Sequence, residues 1–170
     1  PLNIVHRDVS PSNILMSFRG EIKISDFGIA KASIRALETL PGLIKNRLHY
    51  ASPEQVLGEP IDLRADLFST GIVLYEMLTS CHPFTQKTET GTVKALQQGN
   101  FKKPSEVNSA IPKDLDEIIF TALAVCPQHR FSSATEMKEA LDQFFHRSGF
   151  IFSNASMASF LDGLFPNREI

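Results

Sequence analysis

The sequence predicts a mainly α-helical chain carrying one small β-hairpin, an α+β class, and three observations lead there. Residues 14–17 (Ile-Leu-Met-Ser) and 21–24 (Glu-Ile-Lys-Ile) are short apolar-rich runs flanking Phe18-Arg19-Gly20, whose glycine supplies the positive φ that tight turns need. Residues 64–79, RADLFSTGIVLYEMLT, are apolar nearly all round, the pattern of a buried helix. Three later stretches carry helical stripes with recognisable ends.

In the hairpin, Arg19-Gly20 taken as a two-residue loop puts Asn13 opposite Asp26 at the open end. The period of two then places Asn13, Leu15 and Ser17 on one face with Ile22, Ile24 and Asp26, two oxygen ligands above an apolar floor of Leu15 and Ile24. Residues 29–48 hold no steady period and include Pro41-Gly42, the composition of a long loop. After the buried helix come a mixed amphipathic stretch at 88–98, ending at Gly99, and a stripe at 113–124 built on Leu115, Ile118, Ile119, Ala122 and Leu123. Residues 133–145 place Met137, Leu141, Phe144 and Phe145 on one side, with Ser133 and Glu136 in capping-box spacing. Ser148-Gly149 ends that helix, and 157–165 form a short amphipathic segment.

Composition narrows the class. The chain has 170 residues, 42% hydrophobic content and a net charge of -2, which fits one globular domain with a core and gives no reason to expect nucleic acid. Cys81 and Cys126 are too few and too isolated for a disulfide framework or zinc site, favouring a reducing, cytoplasmic setting. The longest apolar stretch, Leu67 to Leu78, is interrupted by Glu76 and too short to span a bilayer, and no signal peptide opens the sequence. The histidines show no metal-ligand spacing, and no serine sits in a nucleophile elbow.

Chemistry concentrates in residues 6–28, HRDVSPSNILMSFRGEIKISDFG. A carboxylate beside an amide oxygen, Asp26 with Asn13, suits a hard cation such as Mg²⁺, which keeps some waters and takes other ligands from phosphates. Asp8 is left to act as a base or to orient a hydroxyl. That combination reads as phosphoryl transfer. His6-Arg7-Asp8, Asn13 and Asp26-Phe27-Gly28 resemble the catalytic loop and metal-binding motif of the eukaryotic-type protein kinases, in that family's order and spacing. The wording His-Arg-Asp-Val-Ser-Pro and Tyr50-Ala51-Ser52-Pro53-Glu54-Gln55 is most similar to bacterial serine/threonine members.

The resemblance covers about residues 2 to 145 and implies a protein-kinase C-terminal lobe at 1–147, with an extension bearing a short amphipathic helix at 148–170. Within the lobe it implies a catalytic loop at 6–13, a metal-binding motif at 26–28, an activation segment at 26–54 and a helical bundle at 63–145. It implies ATP and Mg²⁺ as cofactors and a protein substrate. Asp8 would orient the substrate hydroxyl, Asn13 and Asp26 would hold the metal, and Leu15, with Val73 and Met77, would lie under the adenine. His6 would stack on Phe27, with Gly28 completing the motif. Asp66 would tie down the catalytic-loop backbone, and Arg130 would pair with Glu54. Arg7 would receive a phosphate placed on Ser33 or Thr39, which otherwise read as solvated loop residues. Asp66 also reads simply as a charge at a helix N-terminus, and the two readings are compatible.

Several departures from the family pattern stand out. Where these kinases usually carry a lysine two residues after the catalytic aspartate, this chain has Ser10. Their Gly-Thr-Pro triplet is Asn46-Arg47-Leu48 here, so Arg47 is a candidate replacement for the missing cation. Ser52 stands for the usual alanine, and Cys126 for the usual aspartate. No glycine-rich phosphate loop or strand lysine is found, so the expectation is a C-terminal lobe without its N-lobe, inactive alone. His6, Leu15, Ile24 and Phe27 are expected to form an apolar patch facing that lobe. The alternative is a non-catalytic kinase-like binding module or decayed fragment. The loop lacks the Ala-Ala-Arg or Arg-Ala-Ala wording of tyrosine kinases, which leaves serine and threonine as the expected acceptors.

Overall fold

The computed structural model describes residues 4–27 and 49–166. Gly28, Ser33, Thr39 and Arg47, expected as site or modification residues, lie outside the described residues, as does most of 26–54. A 3-10 turn at Pro11–Asn13 leads into strands β1 (Ile14–Met16) and β2 (Ile22–Ile24). Seven α-helices follow among the described residues: α1 (Pro53–Leu57), α2 (Arg64–Thr79), α3 (Glu89–Gln98), α4 (Pro104–Val107), α5 (Asp114–Ala122), α6 (Ala134–Ser148) and α7 (Asn154–Leu164).

The hairpin register differs from the sequence expectation by one residue. β1 and β2 pair antiparallel as Ile14↔Ile24, Leu15↔Lys23 and Met16↔Ile22, so Asn13 faces Ser25 rather than Asp26, and its carbonyl accepts the Ser25 N–H at 2.9 Å. The cause is the turn. Ser17 N–H donates to the Glu21 carbonyl and Gly20 N–H to the Ser17 carbonyl, each at 2.9 Å, so the connection is the three residues 18–20 with Gly20 left-handed at φ 77°. That is the three-residue loop with a final left-handed residue. Leu15 and Ile24 therefore point to opposite faces. The expected apolar floor does not form, and both residues are exposed.

Helix α2 is the axis of the lobe. Leu67 enters one core cluster with Ile111, Leu115, Ile118, Phe131, Met137 and Phe144, while Phe68, Ile72 and Tyr75 enter a second with Phe84, Leu96, Ile119 and Leu123. A helix feeding cores on two sides must be apolar around most of its circumference. Met77, 76% exposed, is the exception. At Gly71 a Cβ would lie 2.9 Å from the Ala122 Cβ, so α2 and α5 approach through a position only glycine fits.

Helix ends follow sequence chemistry. Thr88 and Ser133 cap α3 and α6 by accepting the N–H of Gly91 and Glu136, and Gly99 and Gly149 close them in the left-handed conformation. α6 runs three residues past the expected 145, to the last residue before Gly149. α1 and α4, absent from the sequence reading, each begin with proline in the first turn and are too short to show a period. α7 starts three residues earlier than expected and docks on the hairpin turn. The Phe18 and Phe165 rings meet edge-on at 6.0 Å, and a Cβ on Gly20 would sit 2.0 Å from the Asn154 carbonyl oxygen.

Candidate active site

The backbone of residues 6–13 is fixed before any side chain is aimed. Arg7 has φ 70° and Asp26 φ 62°, left-handed values that side chains other than glycine rarely adopt and that gather at functional sites. The Asp66 carboxylate, in the first turn of α2, accepts the His6 N–H on Oδ2 and the Arg7 N–H on Oδ1, both at 2.7 Å. Burial pushes the Asp66 carboxyl above its usual range, although both backbone donors pull it the other way. On the far side of the same residue, Gln55 Nε2 donates to the Arg7 carbonyl at 3.0 Å.

His6 is buried, which removes it from the apolar patch expected to face an N-lobe, while Leu15, Ile24 and Phe27 are exposed. Its Nδ1 accepts the Asp8 N–H at 3.3 Å and its Nε2 lies 2.8 Å from the Ser25 carbonyl. With Nδ1 accepting, Nε2 is the nitrogen that donates to the Ser25 carbonyl. The ring sits 4.8 Å from Phe27, tilted by 58°. One side chain thus joins the loop at 6–13 to residues 25–27.

Asn13 is the convergent residue. Its amide nitrogen donates to the Asp8 carbonyl at 2.8 Å and to Asp8 Oδ2 at 3.1 Å, which orients the Asp8 carboxylate and turns the Asn13 amide oxygen elsewhere. Asp26 is exposed, and its Oδ2 accepts from Ser25 Oγ at 3.3 Å. An amide oxygen and an exposed carboxylate at one end of the hairpin are the hard oxygen donors that Mg²⁺ prefers, so the residues present fit that ion. Ser10 is buried, its hydroxyl 2.9 Å from that of Ser12.

The far end of the 26–54 stretch is anchored in the helical body. Arg130 meets Glu54 through two parallel bonds of 2.7 Å, with side-chain exposures of 0% and 4%. Its remaining donors reach the carbonyls of Ala124, Arg64 and Val125, so all five N–H groups have acceptors. The guanidinium also lies 4.7 Å from the Phe68 ring centroid. Burial raises the Glu54 carboxyl, but the Arg130 hydrogen bonds and charge outweigh it, and the net shift is downward. At Cys126, where the family usually has aspartate, the thiol bonds Gln128 and caps nothing.

Sequence reasoning missed Gln55 and a second set of ties around Tyr50. Tyr50 donates to Glu76 at 2.6 Å, Ser69 Oγ donates to the Tyr50 carbonyl at 2.6 Å, and His82 Nε2 lies 2.5 Å from the His49 carbonyl. Burial, reinforced by Glu76, pushes the Tyr50 hydroxyl up, and burial pushes His82 down. The Ser52-x-x-Gln55 spacing was a readable cap signal; the Tyr50 partners, 19 and 26 residues away, left none.

Comparison with known proteins agrees with this geometry. The model of the protein kinase domain matches residues 2–145. The tyrosine-protein kinase MasK of Myxococcus xanthus is 41% identical over 172 residues, covering 99% of this chain and 26% of that protein. A probable serine/threonine-protein kinase of Clostridium acetobutylicum is 39% identical over 81% of this chain and 21% of its own length. Serine/threonine-protein kinase PknB of Mycobacterium tuberculosis is 36% identical over 81% of this chain and 22% of its own. The chain thus spans between about a fifth and a quarter of the length of these relatives. Among the described residues, no helix is long and apolar enough to cross a membrane. With the protein kinase domain model matching residues 2–145, the chain belongs to the protein kinase domain family.

Proposed function

We propose that this chain supplies the C-terminal lobe, residues 1–147, of a bacterial, cytoplasmic kinase domain that moves the γ-phosphate of ATP to a serine or threonine hydroxyl of a protein. The observation that carries the reading is the Asp8 carboxylate held by the Asn13 amide on a left-handed loop pinned by Asp66. Asp8 orients the acceptor hydroxyl and takes its proton. Asn13 and Asp26 would hold Mg²⁺, which when bound neutralises charge on the phosphates. Leu15, Val73 and Met77 form the lower wall of the adenine site, and an N-lobe supplies the upper one. His6, Phe27 and Gly28 support the metal end. Arg7 accepts a phosphate on Ser33 or Thr39, and Arg47 supplies at the transferred phosphate the cation that Ser10 lacks. Strictly additive effects of Ser10→Lys and Arg47→Thr on turnover would sink that last assignment.

A second reading has one specific support, the match to a protein named as a tyrosine kinase across 99% of this chain. In it the same Asp8 serves a phenolic hydroxyl. The deciding experiment incubates the full-length protein with radiolabelled ATP, Mg²⁺ and protein substrates, then hydrolyses the product for phosphoamino-acid analysis. Phosphoserine or phosphothreonine, lost by roughly 10²–10⁴-fold in Asp8→Asn, is the expected result. Phosphotyrosine would move the assignment to the second reading. No transfer together with no Mg²⁺-ATP binding in calorimetry would make the protein a kinase-like binding module.

A further inference from the structure

We infer that Gln55 is a positioning residue for the catalytic loop, carrying the placement of the end of the activation segment into the peptide that aims Asp8. The inference rests on the kinase reading above and adds a residue to it. Gln55 is 4% exposed, in the first turn of α1, and its amide is used at both ends. Oε1 accepts the Ser52 N–H at 2.9 Å and the Ser52 hydroxyl at 3.1 Å. Nε2 donates to the Arg7 carbonyl, 48 residues earlier in the chain.

The recipient carbonyl is the important one. Arg7 is left-handed, and such a conformation persists in a residue with a side chain only where the surroundings over-determine it. Asp66 holds the Arg7 N–H from α2, and Gln55 holds its C=O from α1. The second bond lies on the peptide leading directly into Asp8. Rotation of that peptide would swing the Asp8 backbone and loosen the carboxylate from Asn13. α1 is a firm support, because Glu54, the neighbour of Gln55, is locked to Arg130.

The chemistry also explains why an amide serves here. The position needs an acceptor toward Ser52 and a donor toward Arg7, separated by one planar group. A carboxylate would satisfy Ser52 and repel the Arg7 carbonyl. A thioether of similar volume would fill the space and bond neither. Ser52 can therefore be altered without touching the Arg7 bond, and Gln55 cannot.

The test compares Gln55→Met with Ser52→Ala in the full-length protein. Amide hydrogen exchange across residues 5–10 is read first, since it does not depend on turnover. Gln55→Met should speed that exchange about tenfold, the equivalent of one buried hydrogen bond, while Ser52→Ala stays within about twofold. Unchanged exchange in Gln55→Met overturns the proposal whether or not the protein proves active. In an active protein, Gln55→Met should lower kcat about tenfold with KM for ATP within about twofold. Equal loss of kcat in both variants would overturn it, by reducing Gln55 to a helix cap. A wild-type protein with no transfer would count against the kinase reading alone, and the exchange result would still decide the role of Gln55.

Discussion

The loop at residues 6–13 and the hairpin that follows it are adjacent in sequence, yet they are held by opposite means. In the loop His6, Val9, Ser10 and Asn13 are buried, and carboxylate and amide groups from α1 and α2 grip its backbone across 48 to 60 residues of chain. In the hairpin Leu15, Met16, Ile22 and Ile24 are all exposed, and order comes from the ladder between two three-residue strands and from the contact of its turn with α7. The precision of Asp8 and Asn13 is therefore a property of the helical body. That of Asp26 rests on a thin ladder at its edge and on the His6 contacts to the Ser25 carbonyl and the Phe27 ring on either side of it.

Perturbing the two regions should separate them. The largest effect is expected from Arg130→Ala, which leaves the Glu54 carboxylate buried without its partner and should cost about 3–5 kcal/mol in urea unfolding. The same pair sets an acid limit. Because the folded Glu54 carboxyl lies below its ordinary value of 4.5, its stabilisation is full above that pH and is lost as pH falls through the depressed value. Asp66, pushed upward by burial, contributes with the opposite sign. Thermal unfolding against pH should therefore show a shallower acid limb in Glu54→Gln than in the parent. Next in size, Asp66→Asn puts an amide donor against a backbone N–H and should cost about 1–3 kcal/mol, with faster exchange at His6 and Arg7.

Changes in the hairpin should be smaller. Gly20→Ala places a side chain at φ 77° and against the Asn154 carbonyl, so a loss of at least about 1 kcal/mol is expected, with new proteolytic cleavage between α6 and α7. Ile22→Thr, on an exposed strand position, should stay within about 0.5 kcal/mol of the parent. A larger loss there would mean that the hairpin face is buried in solution and would erase the contrast.

What the sequence disclosed divides along the same line. α2, α3, α5 and α6 were legible because a core-facing stripe and a cap are local signals, and their limits shifted by a few residues at most. The hairpin was legible as a hairpin but not in register. A two-residue turn of the usual kinds needs positive φ at its first position, where this chain has Arg19, so the single left-handed residue moved to the end of a longer loop. That one-residue slip separated Leu15 from Ile24. The Arg130–Glu54 contact was reachable only through family resemblance, since the two residues stand 76 positions apart. Gln55 was half legible, its Ser52 contact as a local cap and its Arg7 contact not at all.

The buried Gly20 reaches beyond stability. The tip of a small hairpin is ordinarily where an epitope tag or an inserted domain is tolerated. Here the tip lies beneath the first residue of a helix more than 130 positions later, so an insertion between Phe18 and Glu21 would have to lift α7 to be accommodated. Gly58, also left-handed but with none of the described residues within 4 Å of where its Cβ would be, offers the open turn that such engineering needs.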